Sequence, residues 1–332
     1  MSETPIRPVR DVADNTVLPF QVESLDVRGR VVRLGDVLDQ ILERHHYPRP
    51  VAVLLAQLVT LTCLLATTLK MQGRFIAQTT SDGPINMLVA DYESPDRIRA
   101  CARYDEEKLQ ALMKASAPSF SSLLGEGHFA MTIDPGKAQN RYQGIVVLQG
   151  ESFEDIADKY FMQSEQIPTM VRLAVGETMT PSDNGYKSAW RSGGFLIQFL
   201  PHSPERQRMR DFPPGDIPPD WESADEDDEE DEDDAWVSAR ALSGTLEDAE
   251  LIDPELSPEQ LLYRLFHEEG VKVFDPQPIK EFCRCSEDGI ARMLRQFSPD
   301  DRAHMVKDDQ IHVICEFCSR QYDFTIQDIS DA

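Results

Sequence analysis

Four of the six cysteines in this 332-residue chain fall in two tight pairs. They are Cys283-Arg284-Cys285 and, 29 residues on, Cys315-Glu316-Phe317-Cys318. Two such pairs can present four thiolates to one tetrahedral Zn²⁺, with Zn–S distances of about 2.3 Å. Cys-x-x-Cys is an ordinary half of a zinc site. Cys-x-Cys is less usual, because one intervening residue leaves little slack. That spacing also permits a Cys283–Cys285 disulfide, in a small ring that departs from relaxed disulfide geometry and is easily reduced. The segment thus reads in two states, a reduced zinc site and an oxidised pair of local disulfides. His304 and His312 lie between the pairs, but four thiolates already close a tetrahedral site. A closed site has no open coordination position, which argues against hydrolytic zinc chemistry. On the cysteines alone, a purely structural zinc module outweighs a redox switch.

Other chemistry is hard to find. Gly125-Glu126-Gly127 precedes strand-like HFAMTI instead of a helix, so it is no dinucleotide loop. There is no Gly-x-Ser-x-Gly elbow and no phosphate loop. Acidic residues abound without marking a catalytic pair. A disulfide-passing oxidoreductase would need a thioredoxin-like βαβ context around Cys-x-x-Cys, and the pattern lacks it. The expectation is a protein that is not an enzyme.

Further motifs accompany the cysteines. Gly83-Pro84 in SDGPINMLVADY, Tyr142-Gln143-Gly144 in RYQGIVVL and Ser164-Glu165-Gln166-Ile167-Pro168 follow one another along the chain. Leu265-Phe266-His267-Glu268-Glu269 comes just ahead of the cysteines. With these segments, most of residues 15–332 resembles the bacterial 33-kilodalton redox-regulated heat-shock chaperone family. One departure is an acidic insert near 211–236. The resemblance reverses the order of the two cysteine readings. It implies a holdase, inactive while reduced, with one Zn²⁺ per chain on Cys283, Cys285, Cys315 and Cys318. It further implies that oxidants form the Cys283–Cys285 and Cys315–Cys318 disulfides, that zinc is released, that the linker unfolds, and that unfolded client proteins are bound. A homodimer of the oxidised form is a candidate assembly. The alternative is a zinc-ribbon scaffold or regulatory protein whose zinc is purely structural.

The composition, 41% apolar and 28% charged, is globular, and the length suits about two domains. The net charge is −26, of which ten consecutive acids, Asp225 to Asp234, carry ten, leaving −16 for the rest. Such a chain is repelled by phosphate backbones, so no nucleic-acid partner is expected. The N-terminal MSETPIRPVRD lacks an apolar signal core, and paired thiols in a non-exported protein point to metal or redox work. The expected location is the cytoplasm.

The elements must position this chemistry. Residues 1–20 carry little pattern and read as a loose arm. Ser24 to Val32 reads as a strand, and Val37, Leu38, Ile41 and Leu42 have helical spacing. Val51 to Leu69 has no charge and reaches membrane-span length. Gln57 and four threonines dilute it and no second span exists, so it is expected as a buried core helix carrying an inert Cys63, with no membrane partner. From Gly73 to Leu148 the period is two, with turns at Asp82-Gly83 and Pro135-Gly136. Arg97, Arg99, Cys101 and Arg103 share one phase of a strand, and neighbouring arginines would lower a thiol pKa, making Cys101 a candidate reactive thiol. A helix after Ser152 and strands at Met170–Val175 and Phe195–Leu200 follow.

The fold class expected is α+β, with three parts. Residues 15–202 form an N-terminal client-binding core, a largely antiparallel sheet with packed helices. Residues 203–278 form a linker, helical in part and disordered in part. Its acidic insert at 211–236, with Pro213-Pro214 and Pro218-Pro219, buries no apolar surface and reads as solvated and disordered. Its helix at 257–269 has Ser257 as N-cap, Pro258 at the first position and Gln260 reaching back, and Gly270 stops it. Leu261, Leu262, Leu265 and Phe266 give that helix an apolar face. They are expected to lock the linker onto the first domain, with the zinc module helping to hold the helix. Residues 279–332 form a small C-terminal redox-switch domain that binds zinc through its four cysteines and is too small for a secure core. It is expected to hold a helix after Ser286, with Ile290, Met293, Leu294 and Phe297. Two strands drawn from Ile311, Val313, Tyr322, Phe324 and Ile326 should flank the Cys315 knuckle.

Overall fold

The uncharged run beginning at Val51 forms the central helix of the computed structural model, which describes residues 14–68, 72–136, 141–148, 150, 152–182, 185–200 and 233–329. This helix, α2 (Arg49–Thr68), follows α1 (Asp36–Glu43) and is long and apolar enough to cross a membrane by length and composition. It is instead 83% buried in protein over its most apolar window. A helix apolar on all sides must be covered on all sides. Its threonines stay satisfied, because Thr60, Thr62 and Thr67 donate to the carbonyls of Ala56, Leu58 and Cys63 at 2.6–2.8 Å.

Two antiparallel sheets sandwich α2. One contains β1 (Thr16–Val22), β2 (Val27–Leu34), β9 (Gly185–Phe199) and β8 (Thr169–Ser182) in that spatial order. The other contains β5 (Arg97–Tyr104), β4 (Ile85–Glu93), β3 (Arg74–Ser81), β6 (Gly127–Asp134) and β7 (Tyr142–Val147), with α3 (Glu106–Ala115) and α4 (Phe120–Leu124) between β5 and β6 in the chain and α5 (Phe153–Tyr160) after β7. Neighbouring strands in both are joined mostly by local connections, as the period of two predicts. Val17, Val32, Leu34 and Leu196 of the first sheet and Phe75, Ala77, Ile98 and Ala100 of the second meet α2 in one buried core.

The first sheet is apolar on its other face as well. Along β9, Phe195, Ile197 and Phe199 point away from the central core while Leu196 points into it. A strand apolar on both faces needs a second cover. Among the described residues three helices supply it: α6 (Asp234–Gly244), α7 (Asp248–Ile252) and α8 (Pro258–Phe266). Ser257 and Gln260 form the expected capping box of α8, and Gly270, at φ +78°, ends it by donating to the Phe266 carbonyl at 3.0 Å.

From α8 the chain runs as an extended strap. Its segments β10 (Val271–Val273) and β11 (Gln277–Pro278) pair with β1, and β12 (Lys280–Glu281) pairs in parallel with β5. Ile279 between them is buried in the central core. A small unit follows, with α9 (Glu287–Leu294), α10 (Pro299–Met305), the hairpin β13 (Ile311–Ile314) and β14 (Gln321–Phe324), and α11 (Ile326–Ile329). Among the described residues its buried apolar side chains are few: Ala291, Leu294, Ile311, Phe324 and Ile329.

Several expectations need correction. Of the loose arm expected at 1–20, residues 1–13 lie outside the described residues, and from Thr16 the chain is a strand whose Leu18, Phe20 and Val22 pack under the linker. The strand expected at Ser24–Val32 begins at Val27, because a tight helical turn at Glu23–Leu25 and a left-handed Asp26 reverse the chain first. Of the acidic insert at 211–236, residues 211–232 lie outside the described residues. Its end at 236 falls inside α6: Asp233 accepts from the Ala235 N–H as N-cap and Trp236 is buried. Carboxylates are favourable at a helix N-terminus, so the end of the acid run starts a helix. Ile326 belongs to α11, not to a strand.

Candidate metal centre

The hairpin β13–β14 carries the Cys315 knuckle in its turn. The Cys315 N–H donates to the Arg320 carbonyl at 3.0 Å and the Ser319 N–H to the Cys315 carbonyl at 2.8 Å, with Ser319 left-handed at φ 54°. These bonds fold Cys315 and Cys318 toward the same point. Cys283 and Cys285 arrive from the strap, directly after β12. The four Sγ atoms lie within 4.8 Å of one another. The Cys283–Cys315 and Cys285–Cys318 sulfurs approach to 3.6 and 3.3 Å. A tetrahedron with Zn–S bonds of about 2.3 Å has S···S edges of about 3.8 Å. The four sulfurs therefore fit one Zn²⁺. His304 and His312 stand outside the cluster, with their Nδ1 atoms against the Asp300 carbonyl and the Asp323 carboxylate.

The surroundings act on the thiols unequally. Burial pushes Cys283 and Cys318 up. Burial also opposes ionisation of Cys285, but hydrogen bonds from Tyr322 Oη, at 3.2 Å, and from the other thiols bring it down to about 7. A bound dication would hold all four as thiolates.

The cluster rests on the outer face of β5, on the stripe that alternates with Ile98, Ala100 and Ala102. The Arg97 guanidinium lies over the Phe282 ring at 4.3 Å from its centroid, and Arg99 over Phe317 at 3.9 Å. Arg103 donates to Glu316 at 2.6 Å. Asp91, opposite Arg99 on β4 and only 5% exposed, accepts from Arg99 at 2.7 Å and from Arg284, between the first two cysteines, at 2.8 Å. Arg44, at the end of α1, donates to both oxygens of Glu281 at 2.7 and 3.0 Å. His45 holds the knuckle from the other side, with Nε2 3.2 Å from the Phe317 carbonyl and Nδ1 3.0 Å from Ser319 Oγ.

Cys101 shares the stripe but is buried in it. It lines a cavity of about 250 Å³ with His45, Tyr47, Ile314, Glu316 and Ser319. Burial pushes its thiol up to about 12, outweighing Arg99 and Arg103, opposite to the expected effect of the arginines. Cys63 sits inside α2, and burial raises its thiol too.

The four linker residues also converge. Leu261, Leu262, Leu265 and Phe266 are 0–4% exposed and pack with Phe20, Phe195 and Trp236. They sit on the first sheet, whereas the cysteine module sits on β5 of the second. The route between them is the strap. Two arginines missed by the sequence reading hold α7. Arg33, fully buried on β2, donates to the Glu250 and Asp253 carbonyls at 2.8 and 2.5 Å. Arg191 on β9 donates to the Ile252 carbonyl at 3.0 Å and to both oxygens of Asp14. These side chains take the carbonyls that a helix C-terminus leaves over. Gly193 makes the approach possible, since a Cβ there would lie 2.2 Å from the Leu251 carbonyl oxygen. An arginine amid the apolar run VVRL of β2 was the available signal.

Residues 15–325 match the family described as Hsp33 protein. A 33 kDa chaperonin of Caulobacter vibrioides is 42% identical over 321 residues, covering 96% of this chain and 97% of the relative. A 33 kDa chaperonin of Proteus mirabilis is 36% identical, covering 94% of each. The crystal structure of the Thermotoga maritima 33 kDa chaperonin superposes with a TM-score of 0.67 at 20% identity, covering 95% of this chain and 96% of that one.

Proposed function

The chain belongs to the Hsp33 family, and from that premise we propose that it is a redox-regulated holdase of the cytoplasm, held inactive by its reduced C-terminal module. Residues 15–202 are the client-binding core, 203–278 the linker and 279–332 the switch. Cys283, Cys285, Cys315 and Cys318 would hold one Zn²⁺, which when bound ties two chain segments together across 29 residues. The observation that carries the reading is a chain of dependence. A unit with few buried apolar residues of its own needs this tie to keep its shape. The unit anchors one end of the strap, and the other end is the linker that covers the apolar face of the first sheet.

Oxidation removes the ligand set. One hydrogen peroxide takes two electrons from each thiolate pair and two protons from solvent, forming one disulfide and two waters, and the freed cation would leave to water. The proposed bonds are Cys283–Cys285 and Cys315–Cys318. They close tiny loops and leave the two pairs unconnected, and disulfide stabilisation grows with loop length. The module then loses its fold and its grip on β5, and the strap is anchored at one end only. Helix α8, nine residues long, cannot persist alone in water. Its departure, and that of α6 with it, would open the apolar face of Phe20, Phe195, Ile197 and Phe199 to unfolded clients.

The test is suppression of thermal aggregation of a model client by reduced and by peroxide-treated protein, with zinc release, thiol count and disulfide mapping in parallel. Activity only after oxidation, with loss of one zinc and four thiols, is expected. Equal suppression in both states would refute the switch. Dominant Cys283–Cys315 and Cys285–Cys318 crosslinks, the pairs with the shortest sulfur separations above, would keep the long tie and refute the unlocking step.

A further inference from the structure

The module meets the second sheet through two copies of the same dipeptide, Glu281-Phe282 and Glu316-Phe317. In the first, the Glu281 carboxylate takes both terminal nitrogens of Arg44 and the Phe282 ring takes the Arg97 guanidinium on its face. In the second, the Glu316 carboxylate takes Arg103 and the Phe317 ring takes Arg99. Each dipeptide thus places its carboxylate on one arginine and its ring on another. Glu281-Phe282 arrives extended: Lys280 and Glu281 run parallel to Arg97 and Ile98, and the Phe282 N–H donates to the Ile98 carbonyl at 3.0 Å.

We propose that this arginine face is itself a client-binding surface, selective for extended segments that carry a carboxylate next to an aromatic ring, and that the module occupies it as a built-in imitation of such a client. The inference rests on the holdase reading above, because the face is covered until the module leaves. A guanidinium both stacks on ring faces and pairs with carboxylates in fixed geometry, so one arginine row can read both groups. Departure of the module strips Arg44, Arg97 and Arg103 of the partners just named and leaves Arg99 on Asp91. Unfolded chains present the aromatic residues that native folds bury, and those with an acidic neighbour restore both contacts. The apolar face of the first sheet carries no such preference. The two faces divide the work into general adhesion and selection.

The test uses the full chain and a labelled twelve-residue peptide bearing two Glu-Phe dipeptides in a Ser/Gly background, with Lys-Phe and Glu-Ala peptides as comparisons. Binding is read by fluorescence anisotropy. The oxidised chain should bind the Glu-Phe peptide about tenfold tighter than either comparison peptide, by losing a charge pair or a ring contact. That preference should shrink between about 50 and about 300 mM salt. The reduced, zinc-loaded chain should bind it about tenfold more weakly than the oxidised chain, because the module competes. The double variant Arg97→Ala/Arg103→Ala should lose the preference while suppressing aggregation of a general client within about twofold of the parent, as exposed charges away from the apolar face predict. Arg97→Lys/Arg103→Lys, which keeps the charges, should lose most of the ring-dependent part, and zinc content of the reduced variants checks their fold. Equal affinity for all three peptides, or a preference that survives the alanine double variant, overturns the inference. A chain that suppresses aggregation without preference overturns this inference alone. One that prefers the peptide and suppresses nothing overturns the holdase reading alone.

Discussion

Over the first sheet, helices α6 to α8 bury Trp236, Leu251, Leu261, Leu262, Leu265 and Phe266 against Phe20, Phe195 and Ile197, and the contact is continuous core. Over the second sheet, the cysteine module rests on Arg97, Arg99 and Arg103 through ring faces and ion pairs and leaves a cavity beneath Ile314 and Glu316. The first cover draws on apolar burial, which contributes about 1.5–3 kcal/mol for each fully buried large side chain. The second draws on an exposed pair, Arg103–Glu316, which contributes little by itself, and on pairs to the more buried Glu281 and Asp91, whose attraction is largely offset by desolvation. No small chemical event can selectively undo the first. The second depends on the module keeping its shape, which on the proposed reading depends on four sulfur atoms. A switch belongs on the weaker cover, with the strap carrying its effect to the stronger one.

The comparison can be broken most severely at the sulfurs. Cys315→Ser should lose the metal, since structural zinc sites contribute about 10–16 kcal/mol of apparent binding free energy. Elemental analysis should fall from one zinc per reduced chain to none, and the module should become protease-sensitive while the α2 core stays protected. A variant with full zinc occupancy would remove Cys315 from the ligand set. Leu265→Ala comes next. The side chain is 4% exposed, and its truncation should cost about 2–5 kcal/mol in the stronger cover. The reduced, zinc-loaded variant should then suppress client aggregation without oxidant; continued silence would mean that α8 is not the lock.

Gly193→Ala probes the same cover from the sheet side. Its Cβ has no room beneath the Leu251 carbonyl, so α7 must move, at about 1–3 kcal/mol for an overpacked site. Hydrogen exchange in α7 should accelerate, with zinc retention unchanged; unchanged protection would mean that the sheet yields instead. The smallest effect belongs to Arg44→Ala, in the weaker cover. Removing its partly exposed pair with Glu281 should speed zinc loss to a chelator by no more than about fivefold. That increment should vanish in high salt. A large, salt-independent effect would show that the second cover is stronger than its chemistry implies.

Much of this arrangement was legible in the sequence. The spacing within each cysteine pair sets two thiols close together, one pair in the hairpin turn and one at the end of the strap, and the fold brings the four to one point. The uncharged run at Val51 was expected as a buried helix and forms one, and Ser257 with Gln260 marks the start of α8. What escaped was set by partners remote in sequence. Thr16 to Val22 shows its pattern only once the linker covers Leu18, Phe20 and Val22 from one side and α2 covers Val17 from the other. The Arg97-to-Arg103 stripe has strand periodicity, but alternation does not say what covers a face. His45 and Arg33 are single polar residues whose importance comes from carbonyls more than two hundred positions away. The strap has no signature in the sequence, because short pairings such as β12 with β5 carry no periodic signal.

That strap has one more consequence. β1 and β5 are the last long strands on their sides of the two sheets, and residues 271–281 finish both. A bare sheet edge offers unpaired N–H and C=O groups to any extended chain, whatever its side chains. Peeling the strap away therefore bares two backbone ladders at once, one antiparallel in its native pairing and one parallel. Either can be completed by a client or by the same strand of a second molecule. The strap is thus also a guard against self-association: while it lies in place, the two edges it pairs are closed.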